Sequence, residues 1–318
     1  MCGIAGLIHR DGSAGIGGEM TSMLQALKHR GPDSSGFALY GIPRNGDYML
    51  RFKVAEQEDM AHGFDIHAEV KKRKAEVDER IQSTGAAIVE EEDATEYAFR
   101  YRVSFADGGA EDQENLKRFA DYLEDVEGAE ILSLGRALEL VKDLGDASRV
   151  SDQYRLGAFE GTHAIGHTRM ATESDVDIRS AHPYWAYPFS DIAVVHNGQL
   201  TNYWGFRRDM ERRGHRFMSN CDSELIAVYL ADRMSGGMAL KDAIELSVGE
   251  LDGVFTYLVA TADSLGMAKD TMAAKPMVLY ESDTFVGVAS EEVAIRSVFR
   301  DEIDTWDPYE GEVMVWQI

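Results

Sequence analysis

The chain has 318 residues, 44% of them hydrophobic and 28% charged, with a formal net charge of −24. That length and apolar content suit a sizeable globular core, and the negative charge argues against binding nucleic acid by phosphate neutralisation. No apolar run approaches a membrane span, no cationic region precedes the short apolar start, and two cysteines are too few for a disulfide framework, so a reducing cytoplasmic setting is the expectation.

Residues 3–10 and 35–41 read as strands, with a helix between them over 18–29 whose Met20, Met23, Leu24 and Leu27 fall on one face. The texture then changes. From Glu56 to Ala158 there are 26 acidic residues against 13 basic ones. Inside this block, strands are predicted at 48–56, 85–92, 96–105 and 129–135, and helices at 67–82 and 112–126. The order β-α-β-β-α-β is the ferredoxin-like pattern, so an acidic subdomain is expected at 47–158, inserted into a main domain of 1–46 and 159–318 and ending in a helical exit over 136–156. An irregular acidic excursion is the alternative. The KKRK run at 71–74 sits among Glu69, Glu76, Asp78 and Glu79 and reads as a solvated helix face rather than a nucleic-acid patch.

Beyond the block, strands are predicted at 162–169 and 191–196, and helices at 202–214, 222–234 and 238–249. Strand pairs at 253–261 with 265–269 and 276–281 with 284–289, a short helix at 290–298 and a strand at 312–317 complete the pattern. Runs of strands followed by runs of helices indicate an α+β class, with sheets packed together and helices outside.

The chemistry begins at Cys2. Removal of Met1 leaves a thiol and a free α-amine on one residue, and the amine can accept the thiol proton. Gly3 permits close backbone approach to a substrate. KHRGPDSSG (28–36) sets Arg30 before a turn, and GHTRMAT (166–172) holds Arg169 in an apolar strand context, where a carboxylate is its natural bidentate partner. An internal ion pair is the other reading. VVHNGQLTN (194–202) ends a strand in Asn197-Gly198, which is either a hairpin turn or a pair of donors for an oxyanion. NCDSELIAVYL (220–230) starts a helix at Asp222, either as a favourable N-terminal charge or as a holder for an ammonium group. Together a guanidinium and a carboxylate suit an α-amino acid head, and a thiol with an oxyanion hole suits attack on an amide. His163 and His167 are four apart on a predicted strand, which is poor metal-ligand spacing, so no metal is expected. Cys221 reads as a structural thiol.

As an ordered set, MCGI, HRGPDSSG, GHTRMAT, HNGQLTN and DSE resemble the class II glutamine amidotransferases, which are N-terminal-nucleophile hydrolases built as a four-layer α-β-β-α sandwich. The resemblance covers about 1–41 and 160–318. It implies that Cys2 is the nucleophile, that Asn197 and Gly198 form the oxyanion hole, and that Arg30 supports the loop around the nucleophile. It also implies that Arg169 binds the glutamine α-carboxylate and Asp222 its α-amino group, with Thr172 and His196 beside the substrate. The run Met170-Ala171-Thr172-Glu173-Ser174 is closer to the glutamate-synthase-like branch than to members continuing Trp-Ala-Thr-His-Gly.

No phosphate-loop, flavin or cluster motif is evident, so no cofactor is expected on this chain and the ammonia acceptor is expected on another. The resemblance points to a synthase subunit of the glutamate synthase or N-methylglutamate synthase type, with flavin and iron–sulfur chemistry, and hence to a hetero-oligomer. Another γ-glutamyl amide as substrate, or an idle regulatory subunit that kept the fold, are the rival expectations.

Overall fold

A computed structural model describes residues 2–44, 46–61, 64–105, 113–170, 178–299 and 302–318. Its first sheet contains β1 (Gly3–His9), β2 (Ser34–Tyr40), β7 (Leu138–Leu144), β8 (His163–Arg169), β13 (Val278–Glu281) and β14 (Phe285–Ala289), in the order β13-β14-β1-β8-β2-β7. A second sheet orders β15 (Val313–Gln317), β12 (Ser264–Lys269), β11 (Gly253–Ala260), β10 (Ala193–Leu200) and β9 (Tyr184–Trp185) as β15-β12-β11-β10-β9. Neighbouring strands in both are antiparallel.

The two sheets meet so closely that a Cβ on Gly6 of β1 would come within 2.8 Å of the Leu258 side chain on β11. On the other face of the first sheet lies α1 (Ile16–Ala26), which buries Ile16, Met20, Met23 and Leu24, one helical stripe. Its contact is equally tight, since a Cβ on Gly166 of β8 would meet Leu24 at 2.7 Å and Met20 at 2.8 Å. Strands covered on both faces must be apolar throughout, and β1 (GIAGLIH) is buried at every position except His9. On the second sheet, α6 (Asp222–Ser235) packs against β10 and α7 (Leu240–Glu250) against β12.

The acidic block contributes a third antiparallel sheet. Its elements run β3 (Tyr48–Lys53), α2 (Phe64–Ser83), β4 (Ala86–Asp93), β5 (Ala98–Phe105), α3 (Gln113–Glu124) and β6 (Glu130–Gly135), with sheet order β4-β5-β3-β6. Three differences from the sequence reading have physical causes. The expected helical exit over 136–156 is instead β7 followed by α4 (Ala147–Tyr154), and β7 pairs with β2 of the first sheet. Its sequence LELVKDL carries three charges that mimic a helical polar face, yet all three are buried and paired. Arg51 and Arg100 hold Glu139 at 2.7 Å, Lys142 meets Glu130 at 3.1 Å, and the Tyr97 and Tyr154 hydroxyls donate to Asp143 at 2.7 Å. The short β9 escaped prediction because Tyr184–Trp185 lies in an aromatic loop between two prolines. The strand expected to stop at 196 runs to Leu200, so Asn197-Gly198 is not a turn.

Candidate active site

Cys2 sits at the head of β1, half-buried. The antiparallel register pairs Gly3 with Thr168, which brings the next residue of β8, Arg169, alongside Cys2. Gly3 has no room for a side chain, since a Cβ there would meet Thr168 Oγ1 at 2.9 Å and Leu27 Cβ at 3.0 Å. Two side chains converge on the Cys2 carbonyl: Asn197 donates from Nδ2 at 3.0 Å and Arg30 from Nε at 3.0 Å. Arg30 also pairs through Nη1 with Glu291, at the start of α8 (Glu292–Arg296), and His29 joins the same carboxylate at 3.0 Å. Burial raises the Glu291 carboxyl, but Arg30 and His29 together outweigh it and hold the group below its ordinary range.

Asn197 and Gly198 occupy the body of β10, opposite Thr256 and Phe255 of β11. Gly198 has φ +140°, and a Cβ there would meet the Val254 carbonyl oxygen at 2.0 Å. Only glycine fits this kink in the strand.

Asp222 opens α6, where a carboxylate suits the positive end of the helix. It accepts the Leu200 N–H at 2.8 Å, tying α6 to the end of β10, and its other oxygen lies 3.7 Å from His196 Nδ1. Next to it, the Ser223 hydroxyl is shared by two imidazoles, His196 Nδ1 at 2.8 Å and His182 Nε2 at 2.6 Å. The His167 ring stacks obliquely on His182 with centroids 4.1 Å apart. Burial holds all three histidines below their ordinary value, His167 at about 3. At His196 the Asp222 carboxylate partly offsets burial, while Lys275 adds to it. The cluster is therefore a neutral polar floor. Among the described residues no group of three or more His, Cys, Asp or Glu side chains is arranged to hold a metal.

The structure thus joins Cys2, Gly3, Arg30 and Asn197 in one contact set, and Asp222 with His196 in another, with Gly198 and Arg169 beside them through strand register. Thr172 lies outside the described residues. Cys221 is half-buried, and burial and then Asp222 push its thiol up, which fits a structural residue. Sequence reasoning missed Glu291, which is 261 positions from its partner Arg30, and the sharing of Ser223 by His182 and His196. No local signal marks Glu291. The DSE run offered the only hint for Ser223.

Comparison with known proteins bears on the family. A family described as "Glutamine amidotransferase domain" matches residues 167–297. A protein of Methanothermobacter thermautotrophicus that carries a provisional glutamine amidotransferase name is 39% identical over 100% of both chains. The glutamine amidotransferase-like protein GlxB of Rhizobium meliloti is 31% identical over 99% of this chain and 98% of its own. Among solved structures, the glutamine phosphoribosylpyrophosphate amidotransferase of B. subtilis superposes with a TM-score of 0.59 at 18% identity. That match covers 99% of this chain, which spans about half (47%) of the B. subtilis chain. Fold and motifs thus define the class anticipated from the sequence, the class II glutamine amidotransferases. The chain belongs to the glutamine amidotransferase family.

Proposed function

We propose that this chain hydrolyses glutamine to glutamate and ammonia through Cys2 as an N-terminal nucleophile, and hands the ammonia to a synthase partner. Loss of Met1 frees the Cys2 α-amine, which takes the thiol proton directly or through water. The thiolate adds to the side-chain amide carbon of glutamine, and the oxyanion is received by Asn197 Nδ2 and the Gly198 N–H. An amide nitrogen carries two hydrogens, so Asn197 can hold the Cys2 carbonyl and still donate to the oxyanion. Collapse breaks the C–N bond, and the α-amine passes its proton to the departing nitrogen. Water, deprotonated by the same amine, then cleaves the glutamyl thioester, releasing glutamate and restoring the thiol. No cofactor on this chain enters these steps.

In this reading Arg169 binds the α-carboxylate and Asp222 the α-ammonium. His196 lies behind Asp222, Thr172 is a proposed substrate-binding residue, and Gly3 and Arg30 support the nucleophile. The observation that carries it is the 3.0 Å bond from Asn197 Nδ2 to the carbonyl of Cys2, which sets the amide donor at the nucleophilic residue. We read the two large sheets with their outer helices as the four-layer α-β-β-α sandwich, and the third sheet as a ferredoxin-like insert. Free ammonia needs an acceptor, and a flavin and iron–sulfur synthase subunit of the glutamate or N-methylglutamate synthase type is the proposed one, in the cytoplasm.

Comparing ammonia release from glutamine, asparagine and other γ-glutamyl amides tests the substrate. Glutamine is expected to dominate, and equal turnover of γ-glutamyl amides with blocked α-groups would refute the roles of Arg169 and Asp222. Asn197→Ala is expected to lower kcat about 10²–10³-fold.

A further inference from the structure

Asp222 is held by neighbours that are themselves held from outside the two main sheets. Two segments reach the start of α6. One runs from 178 to 188: its His182 binds the Ser223 hydroxyl, and its Tyr184 pairs with Val194 of β10. The other runs from 213 to 219: the Met218 and Ser219 amides donate to Glu224 at 2.6 and 2.8 Å, and Cys221 N–H donates to the Ser219 hydroxyl at 3.1 Å. Ser223 and Glu224 are both buried and directly follow Asp222. Displacing either segment therefore moves the turn that aims this carboxylate.

Helix α3 of the acidic block clamps both segments. Asp121 accepts the Tyr187 hydroxyl at 2.7 Å from the first and faces Arg216 at 3.3 Å from the second. Gln113 donates to the Pro188 carbonyl at 3.2 Å, and Lys117 to the Gly214 carbonyl at 2.8 Å. At the far end of α3, Arg179 donates to the Ala129 carbonyl at 2.8 Å and lies 3.7 Å from Glu124, while Lys142 of β7 donates to the Arg179 carbonyl at 3.1 Å. A single helix of the acidic block is thereby bonded to both arms of the site.

We propose that α3 sets glutamine affinity, with Asp121 and Arg179 as positioning residues that act on Asp222 through the segments 178–188 and 213–219. The inference rests on the glutaminase reading above. It assigns the acidic block a part in substrate binding before any partner is considered. A partner that pulls on α3 would change glutamine affinity by the same route.

The test uses the full chain. Asp121→Ala combined with Arg179→Ala is expected to raise the glutamine KM about tenfold and leave kcat within about twofold, because the lost interactions bear on binding rather than on the thiol. Arg179→Lys, which keeps a cation opposite Glu124, is expected to restore most of the loss in the Asp121 wild-type background. If the double variant does not fold, Asp121→Asn keeps an acceptor for Tyr187, removes the charge facing Arg216, and is expected to raise KM about threefold. Calorimetric titration of glutamine into Cys2→Ala chains with and without these changes reads affinity without turnover. Unchanged KM and affinity, or a fall in kcat alone, would overturn the proposal and leave the glutaminase reading standing. A wild-type chain that neither binds nor hydrolyses glutamine would overturn that reading itself.

Discussion

Beside Asn197 and Asp222, His167, His182 and His196 form one cluster without charge. At the seam between the third sheet and β7, Arg51 and Arg100 hold Glu139, and Lys53 faces Asp143 at 3.4 Å. Both regions place many polar atoms out of water, and each avoids the desolvation penalty in its own way. Burial holds all three histidines below their ordinary value, and His182 and His196 share one hydroxyl. The seam keeps its charges by matching them: burial pushes the Glu139 carboxyl up, yet Arg51 and then Arg100 bring it below its ordinary range. The lesson concerns tasks. A site proposed to hold a charged substrate head gains from a floor with no competing charge, whereas a seam that packs an acidic block onto the apolar main sheets needs a partner for each charge it buries.

The largest effect should come from unmatching the seam. Glu139→Ala removes the buried carboxylate between Arg51 and Arg100, leaving Arg100 only Glu90 and Glu92 at 3.5 Å, and is expected to cost about 3–5 kcal/mol by denaturant unfolding. A loss of under about 1 kcal/mol, the scale of an exposed pair, would break the contrast drawn here. Ser223→Ala should cost less, about 1–3 kcal/mol, because it strands two buried imidazole nitrogens rather than buried charges.

The histidine cluster and Glu124, at the end of α3 in the acidic block, predict opposite slopes with pH. His167 binds its proton more readily when unfolded, with an ordinary value of 6.5 against about 3 when folded. Its contribution to stability is present above 6.5 and is lost as pH falls toward 3, and His167→Gln should flatten that window. Glu124 behaves the other way. Burial pushes it up to about 7 from an ordinary value of 4.5, partly offset by the Ile131 amide and Arg179, with Glu130 and Arg216 as the other charges facing it. Its contribution is present below 4.5 and is lost as pH rises toward 7. Glu124→Gln should remove this smaller slope, as followed by melting temperature across pH 4.5 to 7.

Much of the site was legible because its residues lie within short runs. HNGQLTN carries both proposed oxyanion donors, and GHTRMAT carries the arginine that register sets beside Cys2. Continuous apolar runs exposed β1, β8 and β11, since strands packed on both faces leave little ambiguity. What stayed hidden depends on distant pairing. β7 read as a helix because the partners of Glu139, Lys142 and Asp143 come from β3, β5, β6 and α4, and charge alone does not reveal burial. Asn197-Gly198 resembles a hairpin turn locally, and only its pairing with β11 turns it into a kinked strand. The Arg30–Glu291 pair spans nearly the whole chain and leaves no local trace.

The account turns on the sulfur of Cys2 and the amine beside it. Rapid quenching of the wild-type chain with excess glutamine, followed by intact-mass and peptide analysis, examines both at once. The account predicts a glutamyl thioester on a peptide that begins at Cys2, lost on standing and absent from Cys2→Ser. An adduct on Cys221, or full glutamine turnover by a chain that retains Met1, would contradict it.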